Sequence, residues 1–94
     1  DPTVGSEIKK TRPCVVLSPN EMNQHLKTVV LAPMTTNLKN YPTRVPVLHQ
    51  RKKGMIVIDQ IRTVDKSRIL KVYKSLTNTE IDSCKSVIKE AFVD

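Results

Sequence analysis

Met55-Ile56-Val57-Ile58-Asp59-Gln60-Ile61 is the strongest strand signal in the chain. Four aliphatic side chains in succession are too few for a buried helix, and three of them are β-branched or stiff residues that pack well on a pleated surface. Immediately before this run stands Gln50-Arg51-Lys52-Lys53-Gly54, which reads as a hairpin turn with three adjacent cations. The segment ahead of the turn, residues 43–49, alternates enough for the partner strand, although Pro46 restricts it to an edge or a bulge. Further upstream, Lys27-Thr28-Val29-Val30-Leu31-Ala32 reads as a strand stopping near Pro33. Pro13-Cys14-Val15-Val16-Leu17-Ser18 reads as a buried strand ended by Pro19 and Asn20. Residues 20–26 form a connection with one helical turn, residues 35–42 a polar loop, and residues 1–12 a turn-rich, polar opening. Downstream, Asp65 can cap a short turn, and residues 69–76 alternate partly and read as a last strand. Thr77-Asn78-Thr79-Glu80 fits a capping box, with Ile81, Cys84, Val87, Ile88, Ala91 and Phe92 on one helical face behind it. The pattern is mainly β (α+β): four or five short strands and a C-terminal helix, spaced as in a small barrel or strongly curled sheet.

Composition supports that reading. The chain has 94 residues, which allows a single domain over 1–94. Val and Ile together number 19 against 9 for Leu and Ala, a balance that favours strands over a helical bundle. No window approaches the ~18 apolar residues of a membrane span. Cys14 and Cys84 make no disulfide framework and lack the spacing of zinc ligands, so a reduced pair, no metal, and a cytoplasmic protein without membrane attachment are expected. The formal charge is +7, unevenly spread. Lys85 and Lys89 against Glu80, Asp82, Glu90 and Asp94 leave residues 77–94 at −2, so residues 1–76 carry +9. A basic body of this kind suits an anionic partner, nucleic acid first. Three aromatics, Tyr41, Tyr73 and Phe92, are too few for a stacking platform.

Several chemistries are excluded by residue type. No GxxxxGK[ST] phosphate loop and no GxSxG elbow is present, and His25 and His49 stand far apart in sequence. What remains is the junction Glu7-Ile8-Lys9-Lys10-Thr11-Arg12-Pro13. Pro13 pushes Arg12 toward extended dihedrals at the start of a strand. An Arg there, beside two Lys and a carboxylate, can hold a phosphate; equally, Arg12 can pair with Glu7 in a solvated loop. A second polar junction, Thr35-Thr36-Asn37, follows the second strand and taken alone is an ordinary loop.

Together these segments resemble the MazF/PemK/Kid toxins, a family of mRNA interferases. The anchors are Asp1-Pro2-Thr3-Val4-Gly5-Ser6-Glu7, Arg12-Pro13-Cys14-Val15-Val16-Leu17-Ser18-Pro19, Ala32-Pro33-Met34-Thr35-Thr36, Tyr41-Pro42 and Asp59-Gln60-Ile61-Arg62-Thr63-Val64-Asp65. The family pattern has a strand before the Asp-Pro, so a barrel lacking its first strand is expected from a chain that starts at Asp1. The resemblance implies an SH3-like barrel of the CcdB/MazF/Kid type with a C-terminal helix, acting as a homodimer and neutralised by an acidic, partly disordered cognate antitoxin. It implies metal-independent, sequence-specific cleavage of single-stranded RNA to 2′,3′-cyclic phosphate and 5′-OH ends, with no cofactor.

On the matching positions, Arg12 and Thr35 fall on the family's active-site Arg and Thr, and Glu7 on an assigned general base. Ser6 stands where some relatives carry a functional His. Asp59 matches an acidic residue of the Kid branch, but Val57 replaces the Arg two positions before it. Because Arg does not deprotonate usefully, Arg12 is expected to clamp charge on the phosphorane. Lys9, Lys10 and Lys39 are expected to contact phosphates, with Ser6, Thr36, Asn37, Asp59 and Gln60 as further RNA contacts. For Gln60 a strand-end structural role stands equally open. Two other functions fit the same barrel: a CcdB-like toxin that poisons DNA gyrase, and a non-catalytic RNA-binding barrel.

Overall fold

The computed structural model describes residues 12–93. Five strands form one antiparallel, curled sheet: β1 (Cys14–Val16), β2 (Thr28–Thr35), β3 (Arg44–His49), β4 (Lys52–Val57) and β5 (Arg62–Asp65). A short helix α1 (Asn20–His25) links β1 to β2, and α2 (Asn78–Ile88) follows the sheet. The architecture is the expected one, a mainly β half-barrel with a C-terminal helix.

β2 is the spine. On one side it pairs with β1, Cys14 opposite Pro33 and Val16 opposite Leu31. On its other side it pairs first with β5, from Thr28 opposite Asp65 to Leu31 opposite Arg62. It then changes partner to β4, with Met34 opposite Ile56 and Thr35 opposite Met55. Sequence reading stops this strand near Pro33, but the strand runs on to Thr35. The amides of Val30 and Met34 point toward β1, donating to Ser18 Oγ (3.0 Å) and to the Pro13 carbonyl (3.1 Å). By alternation, the side of Pro33 that lacks an N–H faces the gap between β5 and β4, where no ladder bond is needed. The proline therefore sits at the one switch point of the strand that tolerates it.

The β3–β4 hairpin closes through Gln50 and Arg51, with His49 opposite Lys52. Both loop residues have positive φ, 51° and 66°, the backbone of a tight two-residue turn matched to strand twist. Pro46 lies on an edge strand, as its missing N–H requires. The core on one face of the sheet gathers Val15, Ala32, Val45, Val47, Ile56 and Ile58 under Cys84 of α2. A second cluster, Val29, Leu31 and Val64, has Cys14 and Ile69 packed against it. The two cysteines thus belong to separate clusters, and neither takes part in a disulfide. Burial pushes both thiols up, and the Glu80 charge adds to this at Cys84.

Three sequence expectations are corrected. The strand signal beginning at Met55 ends at Val57, where the chain turns into a 3-10 segment (Ile58–Gln60). The final strand is β5, not residues 69–76, which have no regular structure. The β5 backbone finds the free edge of β2, while Leu70, Val72 and Tyr73 stay exposed and have no strand to pair with. Finally, Ala91 and Phe92 leave the buried stripe, because the helix widens into a π turn over Lys89–Val93 and loses the 3.6-residue period.

The capping box is present and does more than start a helix. Thr77 Oγ1 accepts the Glu80 amide (3.2 Å), and Glu80 Oε1 accepts the Thr77 amide (2.9 Å). Glu80 Oε2 also accepts the outward amide of Leu48 on β3 (3.0 Å), tying α2 to the sheet edge.

Two predictions follow from this framework. A Cβ at Gly54 would lie 2.9 Å from the Thr35 carbonyl oxygen, a backbone atom in the neighbouring strand. Gly54→Ala should therefore part β4 from β2 and cost about 1–3 kcal/mol, the range for overpacking, measured by urea unfolding. Desolvation pushes the Glu80 carboxyl up, but the Leu48 and Thr77 hydrogen bonds outweigh it and hold it below its ordinary value. Its contribution is then fully present above the ordinary glutamate range, about 4.3, and lost as pH falls through the lower folded value. Glu80→Gln, which keeps a capping side chain, should weaken this acid limb of stability, while Glu80→Ala should cost about 1 kcal/mol at neutral pH. Thermal melts from pH 3 to 7 read both.

Candidate nucleic-acid cleavage site

The site grows out of the β1–β2 register. Cys14 lies opposite Pro33, and the Met34 amide still donates to the Pro13 carbonyl (3.1 Å). Continued one residue further, the ladder sets Arg12 across from Thr35, although 22 residues separate them in sequence. The Cys14 thiol, donating to the Arg12 carbonyl at 3.7 Å, adds a local tie.

Both residues line one groove of roughly 640 Å³. Its floor is Pro13, Met34, Val47 and Gly54, on the face of the sheet that farther on becomes the core. Gly54 keeps this floor low, because it stands beside Val47 with no side chain of its own. Lys52, Lys53 and His49 enter from the hairpin, and Leu70, Lys71 and Tyr73 from the irregular segment after β5. Arg12, Lys52, Lys53 and Lys71 make the groove strongly cationic.

Thr35 is oriented by its own loop. Its Oγ1 accepts the Asn37 amide (3.1 Å), and Asn37 Oδ1 accepts the Lys39 amide (3.1 Å). With one of its two lone pairs so used, Thr35 keeps its hydroxyl hydrogen available to a substrate oxygen. Polar hydrogen-bonded turns of this kind are the local preference of Thr and Asn. Thr36 lines the groove, whereas Asn37 and Lys39 stand exposed just beyond it.

The remaining residues singled out from sequence divide. Ser6, Glu7, Lys9 and Lys10 lie outside the described residues. Asp59 and Gln60 sit in the 3-10 segment after β4 and do not line the groove. Asp59 Oδ1 accepts the Thr43 hydroxyl (2.8 Å) and lies 4.0 Å from Arg44 Nε, while the Arg44 guanidinium rests 5.0 Å from the Tyr41 ring centroid. This network holds the start of β3. Asp65, similarly, caps the following turn by accepting the Ser67 amide (2.9 Å), which lowers its carboxyl. Among the described residues, no three His, Cys, Asp or Glu side chains gather as metal ligands, and no helix is long and apolar enough to cross a membrane.

Sequence reading did not assign His49, Lys52, Lys53, Lys71 or Tyr73 to the site. The three hairpin cations are visible as a run, but only the fold sets two of them, Lys52 and Lys53, in one groove with Arg12. Tyr73 and Lys71 come from a segment whose alternation suggested a strand.

Comparison with known proteins places this geometry. The chain is 39% identical over 64 residues to the endoribonuclease toxin MazF of Escherichia coli, a match covering 68% of this chain and 58% of that protein. The chain therefore spans under two thirds of that relative's length. Among solved structures, a mycobacterial endoribonuclease in complex with its cognate antitoxin superposes with a TM-score of 0.82 at 22% identity, covering 95% of this chain and 84% of that one. A MazE–MazF structure from Deinococcus radiodurans gives 0.78 at 24% identity, covering 88% and 82%. Both share the fold. The model of the PemK-like, MazF-like toxins of type II toxin–antitoxin systems matches residues 1–92, and the chain belongs to that family.

Proposed function

We propose that the protein is a toxin that cleaves single-stranded RNA at its ribose–phosphate backbone. The observation that carries this reading is the register that faces Arg12 with Thr35 in a cationic groove. In the reaction, the ribose 2′-oxygen attacks the adjacent phosphorus, the bond to the 5′-oxygen breaks, and the products are a 2′,3′-cyclic phosphate and a 5′-OH. Negative charge grows on the non-bridging phosphate oxygens. The Arg12 guanidinium, permanently charged and forked, meets two of them at once. The Thr35 hydroxyl, already aimed by the Asn37 amide, adds a second donor to one of these oxygens. This stabilisation by fixed donors asks for no metal ion. Glu7 is the residue we assign to accept the 2′-hydroxyl proton.

Lys52, Lys53 and Lys71 hold the flanking phosphates, and we assign further phosphate contacts to Lys9, Lys10 and Lys39. Such contacts position the strand without reading its sequence. Ser6, Thr36 and Asn37 are left to contact sugars and bases. The same groove suits an acidic, flexible antitoxin segment that orders on binding and covers Arg12. We also assign the active species as a homodimer and its setting as the cytoplasm.

Arg12→Ala should lower single-turnover cleavage of a labelled RNA in EDTA by roughly 10²–10³-fold, the scale for removing one preorganised donor. RNA affinity should change much less, since the lysines remain. Arg12→Lys should rescue poorly, a point charge being no substitute for a planar fork. A folded Arg12→Ala protein that cleaves at the wild-type rate would remove Arg12 from the mechanism.

A further inference from the structure

We infer that His49 is the general acid of the cleavage reaction, protonating the 5′-oxygen as it leaves. The inference rests on the endoribonuclease reading above. His49 is the last residue of β3, and its register partner is Lys52. By strand alternation it projects on the same face as the buried Val45 and Val47, but beyond the end of the core. It is consequently half-buried and lines the groove with Arg12 and Thr35. Its ring meets Tyr73 edge to face, with centroids 4.8 Å apart and planes at 86°. Lys71 Nζ lies over the other partner, 5.1 Å from the Tyr73 centroid. This ring contact sets an imidazole at a fixed angle in the cationic groove that Arg12 and Thr35 also line.

The chemistry needs such a group. An alkoxide is a poor leaving group, and imidazole is the side chain most often used to give a leaving oxygen its proton. Lys52 is the register partner of His49 and Tyr73 its ring partner, and the other charged groups lining the same groove are Lys53 from β4, Lys71 from the segment after β5 and Arg12 from the entry to β1. Glu80 of α2 approaches β3 next door but is turned to the Leu48 amide on the outer edge. As the O2′–P bond forms, the 2′-proton passes to the general base. As the P–O5′ bond breaks, imidazolium gives its proton to O5′. Exchange with solvent then returns one proton to His49 and removes one from the base.

The test compares wild type, His49→Gln, His49→Asn and Arg12→Ala on two short RNAs spanning one cleavage site mapped on a long transcript. One RNA is natural, and the other carries sulfur in place of the bridging 5′-oxygen. A thiolate leaves without protonation, so only a general acid becomes dispensable on the second. On natural RNA, His49→Gln and His49→Asn should cleave about 10²-fold slower or worse in single turnover, the range for a positioned acid. Their RNA affinity should stay within a few-fold, and they should lose the limb of the pH–rate profile that falls as pH rises. On the 5′-thio RNA they should come within a few-fold of wild type, whereas Arg12→Ala stays slow. Wild type itself should lose the falling limb on the thio substrate, a readout independent of any variant. Folded His49 variants that match wild type on natural RNA, or are equally slow on both RNAs, would overturn the assignment and leave the endoribonuclease reading standing. RNA bound but left intact by wild type would overturn both.

Discussion

The structure depends on one constraint: β2 must serve three partners. It pairs with β1 along one edge and divides the other between β5 and β4. A strand that changes partner midway cannot keep a flat sheet on both sides of the switch, and the sheet curls. The curl brings Val15, Val45, Ile56 and Ile58 together on one face and leaves Leu31 and Val64 to a second cluster on the other side of β2. Pro33 marks the switch, where a missing amide costs no ladder bond.

The same strand carries the functional geometry. Its last residue is Thr35, paired with Met55 of β4, and the approach of β1 delivers Arg12 opposite it. Gly54 lets β4 close onto the Thr35 carbonyl and at the same time opens the groove floor. Packing and site are therefore not separable at this end of the molecule. Thr35 ends β2 and Arg12 stands just ahead of β1, next to Pro13, whose carbonyl accepts the Met34 amide beside Thr35, so the donors of the proposed reaction share one framework, as electrostatic stabilisation requires. The polar loop after Thr35 contributes orientation: a hydrogen bond from Asn37 aims one hydroxyl.

Helix α2 takes no part in the groove, yet it secures the hairpin that does. Glu80 spends one carboxylate oxygen on its own helix start and the other on Leu48, the neighbour of His49. That bond also covers an amide on the outer edge of β3, where Pro46 already withholds one. An edge strand with few outward donors is a poor template for unwanted pairing.

Local chemistry alone made much of this legible. The capping box at Thr77, the Asp65 cap and the edge placement forced by Pro46 depend on near neighbours in the chain, and each is found where the residues put it, while the β-branched run at Met55 marks a strand that stops at Val57. The resemblance carried by Arg12-Pro13 and Thr35-Thr36 pointed at two residues that the register then sets face to face. What the sequence left undecided is long-range. Whether residues 62–65 or 69–76 became the fifth strand turned on which reached the open edge of β2, an event no local propensity encodes. Asp59 has the composition of a site residue, but folding turns it to Thr43 and Arg44. His49 looked solitary because its partners, Tyr73 and Arg12, lie 24 and 37 positions away. Only the curl of the sheet brings them to one groove, since contacts across that span are set by pairing and burial and not by spacing along the chain.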